Sequence, residues 1–416
     1  MRNRVLKALA CLSLLFATSA PAEELVFQAN HTIIKPMQAV VDAWTAKSGH
    51  TVKFLTNPNV SSDALALYQQ QLASGSSDVD IYQIDTIWPG LIGMHLLDLS
   101  EDLGDRVGIY AESAINNNTV GGRLVGIPLY LECGLLYYRK DLLEKYNEPL
   151  PETWDDLIAT AKKIMKAERE AGNPKMWGYV FQGKAYEGLT CNALEWISAK
   201  GGGSIVERDG TVSINNPRAV EALREAASWI GDISPDGVLG YVEEDTRGVF
   251  QSGDAVFLRN WSYCWGLFNQ PDNPLKGKVG VMPVPAGVRG GKSSGTLGGW
   301  GIAVSKYSRK HDAALDFMRF FATPEALKIY VMSGAFIPSI VSLFNDPEVA
   351  ARIPVSDPEV YRNAIPRPAA ATGTHYNRVS SEFYNAVHDV LSKKKTADAA
   401  LKDLEGSLKR ISRRGW

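Results

Sequence analysis

Apolar residues return every third or fourth position over Met37, Val40, Val41 and Trp44, a spacing that predicts an amphipathic helix. Two short β-prone runs flank it, Glu24-Leu25-Val26-Phe27-Gln28-Ala29 and Thr51-Val52-Lys53-Phe54-Leu55, and Gly49 ends the helix before the second. A further helix around Ala64 to Ala73 leads to a third strand, Val79-Asp80-Ile81-Tyr82-Gln83-Ile84. Strands alternating with helices in this way predict a parallel sheet covered by helices, an α/β fold.

Later helices are marked by their caps. Thr153-Trp154-Asp155-Asp156 has the form of a capping box with an aspartate at the third helical position. Asn216-Pro217, Thr323-Pro324, Asp346-Pro347 and Asp357-Pro358 each set a capping side chain before a proline that suits the first helical turn. The helix opened by Asn216 runs through Val220, Leu223, Ala227 and Ile230, and the one opened by Thr323 carries Ala326, Leu327 and Tyr330. No internal repeat and no low-complexity linker interrupts these elements. Two domains joined without a linker imply a chain that crosses between them on strands, more than once.

The first residues read as an export leader, residues 1–22. Arg2, Arg4 and Lys7 precede a short apolar run from Ala8 to Ala17, and Ala20-Pro21-Ala22 supplies the small residues of a cleavage site. The run is about half the roughly 18–20 residues that span a bilayer. Cys11 lies inside the run, where a lipid-bearing cysteine would end it, so soluble export to the periplasm is expected. The remaining 394 residues suffice for two well-buried domains. Without the leader the formal net charge moves from −2 to about −5, which argues against nucleic acid as a partner. Three cysteines remain, Cys133, Cys191 and Cys264, so at most one disulfide can form, and three free thiols are the simpler alternative.

Two motifs fail on their context. Gly291-Lys292-Ser293-Ser294-Gly295 fits the pattern of a nucleophile elbow, which needs a strand before it and a helix after it. Here a Gly-rich polar stretch precedes it, and Trp300-Gly301-Ile302-Ala303-Val304 reads as a strand. The same stretch approaches a phosphate loop, with Ala286 in place of the first glycine and again no helix. The six histidines are scattered and no zinc-binding spacing occurs, so neither a metal site nor another cofactor is expected.

Three segments combine aromatic and polar residues. Asp85-Thr86-Ile87-Trp88-Pro89 follows the third strand, and ligands of open α/β sheets bind beyond the carboxyl ends of strands. The alternative for Asp85 is a helix cap or turn residue. Phe257 through Trp265, if extended, would place Trp261, Tyr263 and Trp265 on one face, with core packing as the alternative. Gly298-Gly299-Trp300-Gly301 would let a partner approach the backbone closely beside a flat indole. A pyranose fits such surroundings, because its C–H faces pack on aromatic rings and its hydroxyls demand charged or amide partners.

Taken in order, several landmarks resemble the extracellular solute-binding proteins of ABC importers, in their trehalose/maltose-binding branch. They are Asp78-Val79-Asp80 into Asp85-Thr86-Ile87-Trp88-Pro89, Gly126-Ile127-Pro128-Leu129-Tyr130, and Leu135 through Leu142. Pro151 through Leu157, Phe250 through Trp265, and Gly298 through Val304 follow. The resemblance implies a two-lobed periplasmic binding protein fold (type II), with sugar held in a cleft that closes by hinge motion. It implies a first lobe from 23–129 and 284–335, and a second from 130–283 and 336–416. Asp85 would bind sugar hydroxyls from the first lobe, with Tyr130 and Glu132 at the hinge. The family usually carries an aspartate at the latter position, so Glu132 departs from it and sets its carboxyl one methylene deeper, which leaves the disaccharide open. Trp261 and Tyr263 would stack on sugar from the second lobe, Gly299 and Trp300 would floor the cleft, and Arg367 matches a late arginine contact. Asn30-His31 would form a rim.

Tyr130 can alternatively be structural, and Arg367 a solvated loop charge. Lys393-Lys394-Lys395 reads as a solvated helix face, and Glu243-Glu244-Asp245 as a loop into a helix capped by Asp245. The expected protein is a monomer that binds an α-glucose disaccharide, trehalose or maltose, and delivers it to membrane permease subunits. The rivals are a secreted glycosidase using Asp85 and Glu132, whose carboxyl separation would set its stereochemistry, and a sugar sensor for chemotaxis.

Overall fold

The computed structural model describes residues 21–354, 361 and 363–416. The leader up to residue 20 and the helix start at Asp357-Pro358 lie outside the described residues. Eleven strands are described. In chain order they are β1 (Glu24–Ala29), β2 (Thr51–Thr56), β3 (Ile81–Asp85), β4 (Thr119–Val120), β5 (Arg123–Leu124), β6 (Ile127–Cys133), β7 (Leu135–Arg139), β8 (Trp177–Val180), β9 (Ala255–Asn260), β10 (Val279–Pro283) and β11 (Leu297–Val304). They form a five-stranded sheet in the order β2-β1-β3-β11-β6, a four-stranded sheet in the order β10-β7-β9-β8, and the small β4–β5 hairpin.

The first three strands are parallel, as their alternation with helices predicts. The helix His31–Ser48 buries Ile33, Met37, Val40, Val41 and Trp44, and Gly49 closes it at φ 77°. The Trp44 ring meets Phe317 edge-on at 5.1 Å, and its indole N–H donates to Asp316 at 2.8 Å. The third strand begins at Ile81, two residues later than expected. Asp80 gives the reason, because its carboxylate accepts the Val26 N–H at 2.8 Å and the Ser308 hydroxyl at 2.6 Å.

The second sheet carries its own aromatic core. Trp154 stacks on Trp229 at 5.6 Å, and Tyr179, Phe181 and Trp196 pack around that pair. The capping box at Thr153 and Asp156 forms as the sequence predicts, and Asn216, Thr323 and Asp346 cap their helices through side-chain oxygens. The two last helices, Tyr376–Leu391 and Ala397–Ile411, close over the helices Glu187–Ala199 and Pro217–Trp229. Lys393, Lys394 and Lys395 are exposed in the turn between those two last helices, Lys393 at φ 60°, and not on a helix face. Cys133, Cys191 and Cys264 are buried free thiols. No helix among the described residues is long and apolar enough to cross a membrane.

The chain leaves the first sheet at Gly134, between β6 and β7, so the boundary expected at 129/130 falls inside β6. It returns through 284–296 into β11. These passages lie side by side: Gly134 N–H donates to Thr296 C=O at 3.1 Å, Leu297 N–H to Ile365 C=O at 2.7 Å, and Ile365 N–H to Gly295 C=O at 2.9 Å. Residues 336–353, expected with the second lobe, pack with the first sheet instead. Ile337 bridges Leu131 of β6, and the Phe336 ring lies between Tyr130 at 4.4 Å and Tyr330 at 5.0 Å. Burial of this apolar run fixes its place.

Strand β11 runs antiparallel to both neighbours and slips register between Trp300 and Gly301. Gly299 reaches φ 126° there, and a methyl on its Cα would stand 2.8 Å from the Tyr130 carbonyl oxygen. Replacing Gly299 by alanine is expected to cost on the order of 1–3 kcal/mol for the strained backbone. Gly290, exposed at φ 71° with open space around it, provides the comparison. Chemical denaturation should find Gly299→Ala clearly less stable than Gly290→Ala; equal midpoints would show that β11 tolerates a side chain at the slip.

Candidate functional site

Strand β11 gathers one end of the first sheet. Its ladder sets Trp300 opposite Asp85 on one side and Tyr130 on the other, with Gly298 opposite Glu132. The Thr86 N–H also donates to the Gly299 carbonyl at 3.2 Å. The second sheet contributes from the end of β9. That strand stops at Asn260, and Tyr263–Phe268 is a short helix, so the extended arrangement of Trp261, Tyr263 and Trp265 does not occur. Asn260 stops it by turning its side chain onto the backbone, accepting the Trp261 N–H at 2.8 Å and donating to the Glu243 C=O at 3.0 Å. Trp265 points elsewhere, its indole N–H toward the Arg352 C=O.

All eight expected residues, Asp85, Tyr130, Glu132, Trp261, Tyr263, Gly299, Trp300 and Arg367, line one open cleft between the two sheets, with Asn30 and His31 also on its wall. The cleft also holds Glu187, Glu243 and Glu244, which the sequence reading missed as site residues. Glu187 opens the helix Glu187–Ala199. Glu243 and Glu244 open the helix Glu243–Gln251 rather than forming a loop before it, and Asp245 caps that helix from its first turn by accepting the Val242 N–H at 2.9 Å.

Arg367 is buried and holds two carboxylates at once. One guanidinium nitrogen donates to Asp85 at 2.7 Å and another to Glu187 at 2.9 Å. It is therefore not a solvated loop charge, and its Nε is buried with no hydrogen-bond partner among the described residues. Asp85 also accepts the Ile87 N–H at 3.2 Å, so the turn role and the ion-pair role coexist in one side chain. Glu187 accepts further bonds from the Tyr376 and Ser380 hydroxyls. Burial raises its carboxyl above the ordinary range, against the pull of Arg367 and these hydroxyls.

The remaining acids are tied to aromatic residues. Glu243 accepts the Trp261 indole N–H at 3.3 Å and the Tyr186 hydroxyl at 2.6 Å. Glu244 accepts the Tyr263 hydroxyl at 2.7 Å and pairs with Arg247. Burial would raise the Glu244 carboxyl, but Arg247 and Tyr263 hold it below its usual range. Glu132 has a weaker partner, the Ser262 hydroxyl at 3.1 Å. Burial pushes its carboxyl up to about 8, with Asp85 and Glu243 adding to the rise and Ser262 and Arg259 opposing it. Across the cleft, Trp300 stands edge-on to Trp88 at 5.4 Å, and both Trp300 and Trp261 are half-buried.

No group of three histidine, cysteine or acidic residues is placed to hold a metal ion among the described residues. Gly291 to Gly295 lies in irregular chain that leads straight into β11. Neither a nucleophile elbow nor a phosphate loop is built there.

Comparison with known proteins agrees with this architecture. Residues 28–328 match the family described as bacterial extracellular solute-binding protein. A probable ABC transporter-binding protein of Deinococcus radiodurans is 47% identical over 380 residues, covering 90% of each chain. A maltodextrin-binding protein of Bacillus subtilis is 26% identical over 263 residues, which are 60% of this chain and 57% of that one. Among solved structures, maltose-bound MalE3 of T. maritima superposes with a TM-score of 0.87 at 33% identity, covering 94% of this chain and all of the other.

Glu132 gives the site a pH signature. Between its usual value near 4.5 and about 8 the folded protein keeps the Glu132 proton while the unfolded chain releases it. Folding stability therefore falls as pH rises through that window, by at most about 1.4 kcal/mol per pH unit. Glu132→Gln removes this loss. The thermal midpoint of the variant, taken relative to the wild type, should climb from pH 5 to pH 8.5; parallel curves would place the Glu132 carboxyl near its ordinary value.

Proposed function

The chain belongs to the bacterial extracellular solute-binding proteins and is the substrate-binding component of an ABC transporter, and from that premise we propose that its ligand is an α-linked glucose disaccharide, trehalose or maltose. In this reading the protein works in the periplasm after its leader is removed, and permease subunits in the membrane receive the sugar. The observation that carries the proposal is the pairing across the cleft. Trp300 belongs to the first sheet, Trp261 and Tyr263 follow a strand of the second, and buried carboxyls lie between them.

Each part has a use for a pyranose. Indole and phenol rings cover C–H faces, and the acids and Arg367 meet hydroxyls. Arg367 lines the cleft with its guanidinium engaged by Asp85 and Glu187, so it holds both acids in place for sugar hydroxyls. A protonated Glu132 both donates and accepts, which suits a hydroxyl better than a carboxylate limited to accepting. A ligand touching both sheets has more contacts when the cleft is closed than when it is open. It shifts the population toward closure by that difference in affinity.

The family is one of transport proteins rather than enzymes. Even so, a neutral carboxyl at Glu132 facing a second acid is what a glycosidase uses, so turnover belongs in the test. Asp85 is already engaged by Arg367 and by the Ile87 N–H, which argues for binding.

Calorimetry on purified protein should detect one bound trehalose or maltose per chain, with no glucose released over hours. Trp300→Ala should weaken that binding by about 1–3 kcal/mol, the scale of aromatic stacking on other planar ligands, with circular dichroism unchanged. Stoichiometric glucose release that is lost in Glu132→Gln would point to the glycosidase instead. Absence of binding to either sugar would sink the disaccharide proposal.

A further inference from the structure

We propose that Arg259 is a positioning residue, which sets the Trp261 ring for the ligand and ties that ring to the hinge backbone. The inference rests on the disaccharide reading of the cleft. Arg259 lies in β9, is fully buried, and does not touch the cleft itself. Its guanidinium lies 4.0 Å from the centre of the Trp261 ring. Trp261 is further fixed at its rim, where the indole N–H reaches Glu243, and at its edge, where a methyl on Gly298 would stand 3.0 Å from the ring. With one face against the guanidinium, the opposite face is the one left for a ligand.

The other side of Arg259 reaches the chain passages. Its Nε and Nη2 donate to the two carboxylate oxygens of Glu195, at 3.0 and 2.5 Å, and Nη1 reaches Gln182 at 3.3 Å. The Glu195 oxygen that takes Nη2 also accepts the Thr296 N–H at 2.9 Å. Thr296 in turn accepts the Gly134 N–H. Gly134 leaves no slack, since a methyl there would meet Glu195 at 1.9 Å and Arg259 at 2.5 Å. One ion pair therefore contacts the stacking ring and two neighbouring passages of the chain. The fork of arginine is needed for this, because it bonds both Glu195 oxygens while its central carbon lies over the indole; a lysine ammonium keeps the charge and loses the paired donors. Closing the cleft bends those passages, so a ligand that fixes Trp261 also fixes the pair against which they move.

The test separates affinity from closure. Wild type, Arg259→Lys, Trp261→Leu and Trp300→Ala are titrated with trehalose and maltose by calorimetry, and the radius of gyration is measured by small-angle scattering without sugar and at saturation. Arg259→Lys should bind at least tenfold more weakly and contract less than the wild type when saturated. Trp300→Ala, on the first-sheet wall and outside the Arg259–Glu195 pair, should lose affinity yet contract fully. Wild-type affinity with full contraction in Arg259→Lys overturns the proposal. Should Arg259→Lys fail to fold, Trp261→Leu decides, because it leaves the ion pair intact and removes only the ring: reduced contraction at saturation supports the coupling, and full contraction overturns it. A wild type that binds neither sugar, or binds without contracting, fails the functional reading itself, which a defect confined to the variants does not.

Discussion

Strand β11 is the constraint on which the rest of the site depends. It is made late in the chain, after the second sheet has been laid down, and it must insert between β3 and β6. Neither neighbour pairs with the other, so without β11 the first sheet is split and Asp85 has no fixed relation to Tyr130 or Glu132. Its backbone bonds set that relation directly, because Trp300 faces Asp85 and Tyr130 across its two ladders. The register slip at Trp300/Gly301 is possible only because Gly299 has no side chain to strike the Tyr130 carbonyl. The strand that completes the core is thus also the strand that exposes backbone to the cleft.

Five carboxyl groups in one cleft would repel one another if all were free and charged, and the structure disposes of them in different ways. Arg367 serves two, Arg247 serves one, and burial raises the Glu132 carboxyl to about 8 against the opposing pull of Ser262 and Arg259. Glu243 is left with two neutral donors, Trp261 and Tyr186. The formal balance stays negative, because one Arg367 faces two acids and Glu243 meets only neutral donors, which disfavours an anionic ligand and accords with a neutral sugar.

Much of this was readable from the sequence because it is local. The strand–helix alternation, the capping boxes and the glycine stop at Gly49 are short-range devices, and they form where the pattern puts them. The eight site residues come from family resemblance, and the structure brings them around one cleft. What escaped is non-local. Glu187 sits in a helix whose residues through Ile197 are all buried, and only the arrival of Arg367, 180 positions later, makes it part of a site. Glu243 and Glu244 read as a loop before a helix and in fact open it; nothing in their neighbours announces that Trp261 and Tyr263 return to meet them. The helix after Asn260 was missed because the aromatic-rich segment suits a strand equally well, and a side-chain bond to the backbone decided the matter.

These tethers change how the cleft recognises its ligand. In a simple picture, rings supply affinity through stacking and acids supply specificity through hydrogen bonds, so the two can be altered separately. Here the two ring residues of the second sheet are each held by a carboxyl that also lines the cleft, Trp261 by Glu243 and Tyr263 by Glu244. In the proposed complex, an acid that turns toward a sugar hydroxyl also moves against the ring donor it accepts, and a ring that shifts onto a sugar face must carry its acid or release it. Stacking and hydrogen bonding are therefore coupled by geometry on this side of the cleft. Trp300 carries no such tether among the described residues; it is set by strand pairing and by Trp88. The cleft thus has one wall fixed by backbone and another that adjusts through paired side chains. The adjustable wall belongs to the sheet whose Arg259 lies over Trp261 and pairs with Glu195, the residue that accepts the Thr296 N–H, and this is the geometry on which the proposed coupling rests.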